Sequence, residues 1–159
     1  MSFANRASAK VFRDKLEIPV IQGGMGVGIS MGKLAGSVAA CGGMGVISTA
    51  LIGFREEDFY QNHVEADVRA LRKEIQIAKE IANGRGMIAI NAMTVTTDYR
   101  ECIEAAVREG IDAIISGAGL PLALPELVDG KDVLIAPIVS SAKAAALIMR
   151  SWNKKCERK

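Results

Sequence analysis

The sequence predicts an α/β fold of five consecutive β/α units around a parallel sheet. Five short aliphatic runs recur along the chain, and each is apolar on successive residues, which is typical of parallel strands covered on both faces. Helical patterns with capping and stop signals separate these runs. Because aromatic residues make up only 4% of the chain, the core must be built from Ile, Val, Leu, Ala and Met.

The predicted strands cover residues 18–21, 44–48, 87–93, 113–116 and 133–139. The predicted helices cover residues 31–41, 63–83, 99–109 and 142–152, and residues 121–128 form a short helix or turn. Side chains able to cap three of these helices precede them, namely Ser30, Thr97 or Asp98 (with Glu101 for a capping box), and Ser140 or Ser141. Glycines that can end helices follow three of them: Gly42, Gly84 and Gly110.

Two architectures share this order of elements. One is a five-stranded doubly wound sheet of flavodoxin type, and the other is the first part of a TIM barrel, which needs about 250 residues when complete. Hydrophobic periodicity does not separate them. No change of composition divides residues 1–159, so a single domain is predicted in either case.

Charge and composition exclude several classes of protein. The net charge is +2 with acids and bases mixed along the chain, which indicates neither a nucleic-acid interface nor a basic membrane patch. No apolar run approaches the roughly 18 residues of a membrane span, and the first residues lack the apolar core of a signal peptide. The cysteines, Cys41, Cys102 and Cys156, are far apart, so no metal or redox site is expected and a cytoplasmic protein is predicted.

The junction after the first predicted strand is rich in glycine. Residues 22–28 read Gln-Gly-Gly-Met-Gly-Val-Gly, and glycines there let the backbone turn sharply and approach a planar or phosphorylated ligand. A Rossmann motif fails on spacing, because Ile29 stands where a motif that starts at Gly24 needs its third glycine. A Walker P-loop fails because no Gly-Lys-Ser/Thr follows. A turn without a ligand is the alternative interpretation.

Two further junctions are predicted at the same edge of the sheet. Asn91 lies at the end of the third predicted strand, and its amide offers a donor and an acceptor to the edge of a heteroaromatic ring. Its alternative role is a hydrogen bond to a neighbouring loop backbone. The fourth predicted strand runs into Ser116-Gly117-Ala118-Gly119. Since ligands of α/β folds bind at the carboxyl ends of strands, the three junctions together predict a ligand site.

In their order along the chain these segments resemble the nitronate monooxygenase family, formerly called 2-nitropropane dioxygenase, which includes flavin-dependent enoyl-acyl-carrier-protein reductases. The resemblance rests on Pro19-Val20-Ile21-Gln22-Gly23-Gly24-Met25, on Leu34-Ala35-Gly36 with Gly42-Gly43-Met44-Gly45-Val46-Ile47, on Asn91 and on Ser116-Gly117-Ala118-Gly119. It implies a TIM barrel that binds FMN at its carboxyl-terminal mouth. The implied cofactor contacts are Gly23, Gly24, Met25, Asn91, Gly117 and Gly119. The implied reaction is oxidation of alkyl nitronates, with reduction of an enoyl thioester as the alternative.

The sequence departs from the family in two respects. The family's catalytic histidine, in an Ala-Gly-Gly-His segment after the sixth strand, has no counterpart, and the only histidine, His63, is expected to be an ordinary surface residue. The phosphate-binding loops after strands seven and eight of such barrels have no counterpart either. We therefore expect an N-terminal fragment of the enzyme, with weak FMN binding and no catalytic residue of its own. A non-catalytic half-barrel that pairs with itself or a partner through exposed strand edges is the alternative.

Overall fold

The computed structural model describes residues 16–156, and within them four strands form one parallel sheet in the order β1-β2-β3-β4. The strands are β1 (Met44–Ser48), β2 (Met87–Met93), β3 (Ala113–Gly117) and β4 (Leu134–Pro137). The helices are α1 (Gly32–Ala40), α2 (His63–Ala82), α3 (Tyr99–Arg108), α4 (Leu124–Leu127) and α5 (Ala142–Cys156). The predicted elements are all present, although β4 is shorter than predicted and the helix predicted over residues 121–128 is reduced to α4.

An extended segment over residues 18–22 continues the sheet beyond β1. The amide of Gln22 donates to the carbonyl of Met44 at 3.0 Å, and the amide of Met44 donates to the carbonyl of Val20 at 2.9 Å. Between these bonds Ile21 and Met44 form an isolated parallel bridge. The first predicted strand is therefore present in reduced form, as one bridge flanked by hydrogen bonds.

The five extended segments follow one another across the sheet in chain order, and all are parallel. A flavodoxin-type sheet reverses its order after the first strand, as 2-1-3-4-5. Consecutive parallel strands joined by helices are instead the arrangement of a TIM barrel. The prediction of the first five units of such a barrel is confirmed, and the doubly wound alternative is wrong.

Strand side chains divide between two cores, because successive residues of a strand point to opposite faces. The larger core joins Ile47, Ile90 and Ile114 to side chains from all five helices. The smaller core contains no helix residue, and its members are Met44, Val46, Met87, Ala89 and Ala113, with Leu16, Ile115 and Leu134 packed against them. The helices thus cover one face of the sheet, and the other face is the inner face of the barrel arc.

Helix α1 lies directly on β1 because a glycine removes the side chain from the contact. A Cβ atom on Gly45 would lie 2.6 Å from the Cα atom of Ala35, closer than real Cβ atoms approach their neighbours. Ala35 is itself fully buried. The separation of α1 from β1 is therefore set by backbone contact.

The start of α1 differs from the prediction. The residue before the helix is Met31, which makes no side-chain capping bond, and Ser30 does not cap the helix. Instead Glu74 of α2 accepts a hydrogen bond from the amide of Gly32 at 2.7 Å. A carboxylate at this position is favourable because the first amides of a helix lack partners within it.

The later helices follow the predicted caps in part. Asp98 precedes α3, but its side chain makes no capping bond, so the predicted capping box is wrong. Its carboxylate accepts instead from the thiol of Cys102 at 3.1 Å. Before α5, Ser141 accepts the amide of Ala144 at 3.2 Å, which is the predicted cap.

Helix α2 is the longest helix, and its apolar residues recur on the face that packs on the sheet. Its polar face carries ion pairs to neighbouring elements, including Arg72 with Glu109 of the α3–β3 connection at 2.7 Å. Exposed pairs of this kind contribute little to stability. Across residues 16–156, no helix has both the length and the apolar character that crossing a membrane requires.

The two outer strands each place a proline on the side that faces away from the sheet. Val20 and Gln22 bond to Met44, so Pro19 and Ile21 point outward. At the other side Leu134 donates to Asp112, just before β3, and Ile138 donates to Ser116 in β3, so Ile135 and Pro137 point outward. Proline has no amide hydrogen to donate. Each outer strand therefore has one outward-facing amide N–H between these hydrogen bonds, that of Ile21 in the first segment and that of Ile135 in β4.

Replacing Gly45 by alanine should destabilise the fold by about 2 kcal/mol or more, because the added methyl group must displace the backbone of α1. Gly23→Ala is the matched control, since its Cβ would have no atom within 4 Å. Urea unfolding monitored by far-ultraviolet circular dichroism gives both free energies of unfolding. Equal free energies for the two variants would contradict the backbone contact between α1 and β1.

Candidate functional site at the carboxyl ends of the strands

The glycine-rich junction after the first predicted strand and the Asn91 junction after the third predicted strand meet at the carboxyl ends of the strands. The side-chain amide of Asn91, near the end of β2, donates to the carbonyl of Gly24 at 3.1 Å. A Cβ atom on Gly24 would lie 2.6 Å from the Cβ of Asn91, so only glycine allows the turn to approach β2 this closely. Asn91 therefore makes the hydrogen bond to a loop backbone that was its alternative role. That bond uses the side-chain NH₂ group and not the side-chain carbonyl.

The turn after the first extended segment is held from behind by Gln22 and Ser30. Gln22 accepts the amide of Val46 at 3.0 Å and donates to the hydroxyl of Ser30 at 2.9 Å. Ser30 in turn accepts the amide of Met25 at 2.8 Å and donates to the carbonyl of Gly23 at 3.1 Å. These bonds leave the other side of the turn open. No atom lies within 4 Å of a Cβ built on Gly23, and the side chain of Met25 is 60% exposed.

The turn after β3 forms a separate part of the same end of the sheet. Thr94 holds this turn with two hydrogen bonds. Its hydroxyl donates to the carbonyl of Ala118 at 2.9 Å, and its backbone amide donates to the carbonyl of Gly117 at 2.9 Å. Ala118 and Gly119 both have positive φ, at 52° and 140°. The bonds of this turn run to Thr94 and not to Gly24 or Asn91. Contact of any of these residues with a flavin stays a prediction.

The segments at this end of the sheet, which we call the mouth, comprise residues 22–30, 48–51, 91–97, 117–121 and 137–141, and none of these residues is charged. The loop after β1 continues to Asn62, and its Arg55 places a guanidinium nitrogen 3.7 Å from a Cβ atom built on Gly28 of the mouth. Exposed apolar side chains are concentrated here: Met25, Val27, Ile29, Leu51, Val95, Leu120, Ile138 and Val139. The mouth therefore offers backbone groups, amides, hydroxyls and apolar surface to a ligand, with the Arg55 guanidinium beside Gly28.

The histidine and the tyrosine near the mouth are engaged elsewhere. His63 is exposed at the start of α2, as predicted, with its Nε2 atom 3.0 Å from the hydroxyl of Thr97. The hydroxyl of Tyr99 lies 2.9 Å from that of Ser116 on the helix-covered face of the sheet, and burial raises the pKa of Tyr99. Neither group faces the turn of Gly23, Gly24 and Met25.

A polar cleft of about 570 Å³ lies at the opposite end of the sheet. Its cationic groups are already paired: Arg85 contacts the carboxylate of Glu17 at 2.7 Å, and Lys79 donates to the carbonyl of Glu109. Ligand sites of barrels lie at the carboxyl ends of the strands, whereas the opposite end contributes to stability. This cleft is therefore not the candidate site.

A buried carboxyl pair that the sequence did not indicate lies behind the mouth. Asp67 of α2 is 1% exposed and accepts the amide of Gly53 at 2.6 Å, which ties the loop after β1 to the helix. Burial raises the pKa of Asp67, and the neighbouring carboxylate of Asp98 raises it further. Burial and Asp98 likewise raise the pKa of the Cys102 thiol, so this cysteine is not a nucleophile. A structural role for the cluster follows.

Comparison with solved structures supports the arc of a barrel. FabK from Thermotoga maritima matches with a TM-score of 0.68 at 22% identity over 89% of this chain. A point mutant of the same FabK matches with a TM-score of 0.73 at 20% identity over 90% of this chain. Nitroalkane oxidase from Streptomyces ansochromogenes matches with a TM-score of 0.68 at 12% identity over 87% of this chain.

The chain spans less than half of each of these neighbours, 40% and 42% of the two FabK chains and 45% of nitroalkane oxidase. No protein-family model and no curated protein matches the sequence. At these identities the likeness shows the fold, which is that of part of a TIM-barrel enzyme.

The buried carboxyl pair gives the fold a pH dependence of defined sign. Because its pKa is raised in the folded state, Asp67 takes up protons more readily there than in the unfolded chain. Stability should therefore fall as the pH rises from about 4, the unfolded value, through the raised folded value. Asp67→Asn keeps an oxygen for the amide of Gly53 and removes the titration.

Urea unfolding between pH 4 and pH 8 tests this, with the exposed Glu65→Gln as control. We expect the slope of stability against pH to flatten in Asp67→Asn and to persist in Glu65→Gln. An unchanged slope in Asp67→Asn would rule out the proton uptake at this pair.

Proposed function

We propose that this chain forms the ring-binding part of a flavin-dependent oxidoreductase with FMN as cofactor. The observation that carries the proposal is the meeting of the open turn of Gly23, Gly24 and Met25 with the amide of Asn91 at the carboxyl end of a barrel arc. The ordered resemblance to nitronate monooxygenases supports it. So does the likeness to FabK and nitroalkane oxidase, which are flavin enzymes.

The residues present suit a flat heteroaromatic ring. Glycine at position 23 leaves the outer side of the turn free of side chains, so backbone groups can reach a ring face. The carbonyl of the Asn91 side chain can accept from a ring N–H, while its amide stays on Gly24. Exposed Met25 offers a polarisable thioether and apolar surface to such a ring. When bound, a flavin supplies the hydride and electron transfer that protein side chains do not.

The chain's own contribution is binding and orientation. The mouth supplies backbone groups, amides and apolar surface, which suit the binding of a ring. For the parent enzyme we propose oxidation of alkyl nitronates, which follows the resemblance to nitronate monooxygenases and the likeness to nitroalkane oxidase. The chain alone is proposed to be inactive and to bind FMN weakly.

Reduction of an enoyl thioester is the second candidate activity, and one observation favours it. An aliphatic acyl chain gains from apolar surface, and eight exposed apolar side chains stand at this mouth. FabK, which is an enoyl-acyl-carrier-protein reductase, is among the structural neighbours.

Titration with FMN and with riboflavin tests the cofactor proposal. Because the proposed contacts of Gly23, Gly24, Met25 and Asn91 are with the ring, we expect the two flavins to bind with dissociation constants within about threefold of each other. Asn91→Ala should weaken both by about tenfold, as the loss of one or two hydrogen bonds would. Asn153→Ala, an exposed position in α5, is the control. Flavin fluorescence measures all six affinities, and unaltered binding by Asn91→Ala would refute the assignment.

Chain-length dependence separates the two candidate substrates. If the apolar mouth takes an acyl chain, the affinity for 2-enoyl pantetheine thioesters should rise about threefold or more for each two added methylene groups. Ethyl nitronate should then bind no better than nitroethane. Calorimetric titration of the FMN-loaded chain measures both, and a preference for the nitronate with no effect of acyl length would favour nitronate oxidation.

A further inference from the structure

The hydroxyl of Ser30 lies fully buried behind the turn of residues 23–25, and its hydrogen-bonding capacity is filled. A serine hydroxyl has one hydrogen to donate and two lone pairs. Here the hydrogen goes to the carbonyl of Gly23, and the lone pairs accept from the amide of Met25 and the side chain of Gln22. One buried atom therefore touches both ends of the turn and the residue that precedes it.

The backbone of Ser30 ties the same turn to the sheet. Its carbonyl accepts the amide of Ser48 at the end of β1 at 2.9 Å, and its amide donates to the carbonyl of Met25 at 2.9 Å. Gln22 makes a second connection to β1 through the amide of Val46. Hydrogen bonds to β1 thus hold the turn at both of its ends, through Gln22 and through Ser30, and they involve no ligand.

We infer that Ser30 is a positioning residue that fixes the turn of Gly23, Gly24 and Met25 in its open shape before any ligand binds. For the flavin, this inference rests on the function proposed above. A glycine-rich turn has many accessible conformations, and binding to it would have to restrict them. A turn held in advance avoids that loss of entropy, so the Ser30 hydroxyl raises flavin affinity without touching the ring.

The alternative is that Ser30 only stabilises the fold as a whole. The two roles differ in what a substitution changes. A positioning role predicts a local loss of order in the turn while the sheet keeps its stability, because local opening can occur well below the free energy of global unfolding. A general structural role predicts that the turn and the sheet lose protection together.

Native-state amide hydrogen exchange followed by NMR separates these roles in the chain without flavin. In Ser30→Ala, we expect protection of the Met25 amide to fall about tenfold or more, while the amides of Ala89 and Ile90 in β2 change little. Ser37→Ala is the matched control, since the Ser37 hydroxyl makes only a bond within α1, to the carbonyl of Lys33. Unchanged protection at Met25, or an equal fall at all three amides, would overturn the inference.

Ser30→Cys is the second variant and serves if Ser30→Ala does not fold. Its thiol has nearly the volume of the hydroxymethyl group and is a weaker donor and acceptor, so Met25 should lose protection to a smaller extent than in Ser30→Ala. Protection equal to that of the unaltered chain would count against the role of the hydroxyl.

Flavin titration of the same variants adds an independent readout. We expect the FMN dissociation constant to rise about tenfold in Ser30→Ala, and the visible circular dichroism of the bound flavin to weaken. If Ser30→Ala binds FMN as the unaltered chain does, the positioning role is overturned while the flavin proposal stands. If the unaltered chain binds no FMN, the flavin proposal fails, and amide exchange alone decides whether Ser30 fixes the turn.

Discussion

One-sided packing of helices on consecutive parallel strands is the constraint on which the rest of this structure depends. Right-handed connections place each helix on the same face when the strands follow in chain order. Alternate strand residues then point to opposite faces of the sheet. Ile47, Ile90 and Ile114 pack against the helices, whereas Val46, Ala89 and Asn91 lie on the inner face. Helix α1 packs directly on the backbone of β1, because Gly45 has no side chain to separate the two elements.

The same constraint decides what the mouth is made of. With the aliphatic residues used for the two cores, the loops at the carboxyl ends are left with glycines, hydroxyls, two amides and exposed apolar side chains. Hydrogen bonds from Gln22, Ser30 and Asn91 shape these loops, and all of them end on backbone groups or on each other. Such a surface suits a cofactor that brings its own reactivity, since it supplies shape and hydrogen bonds.

Sequence patterns captured what is local and periodic. β1 and β2 were predicted over the residues that form them, because unbroken aliphatic runs identify buried parallel strands. The choice between barrel and doubly wound sheet depends on strand order, which periodicity does not contain, and only the resemblance favoured the barrel. Asn91 was identified from its place at a strand end, whereas its bond to Gly24 spans 67 positions.

Ser30 and Asp98 show why the remainder could not be read from sequence. Both precede helices and have the chemistry of caps. Ser30 bonds instead to Gln22, which only the folded turn brings close, and Asp98 bonds to the thiol of Cys102 one helical turn further along. At Ser30 the partner across the turn outweighed the local preference. The Asp67 pair escaped notice for the same reason, because a lone aspartate on a charged helix looks like a surface residue.

The prolines of the two outer strands bear on how such an arc avoids fibrous polymers. A growing β-sheet needs a continuous series of amide donors along the strand to which the next chain adds. Pro19 and Pro137 break that series beside Ile21 and Ile135, so a strand that adds to either side gains few hydrogen bonds before the pairing ends. Extension of the described sheet by main-chain pairing is therefore limited on both sides.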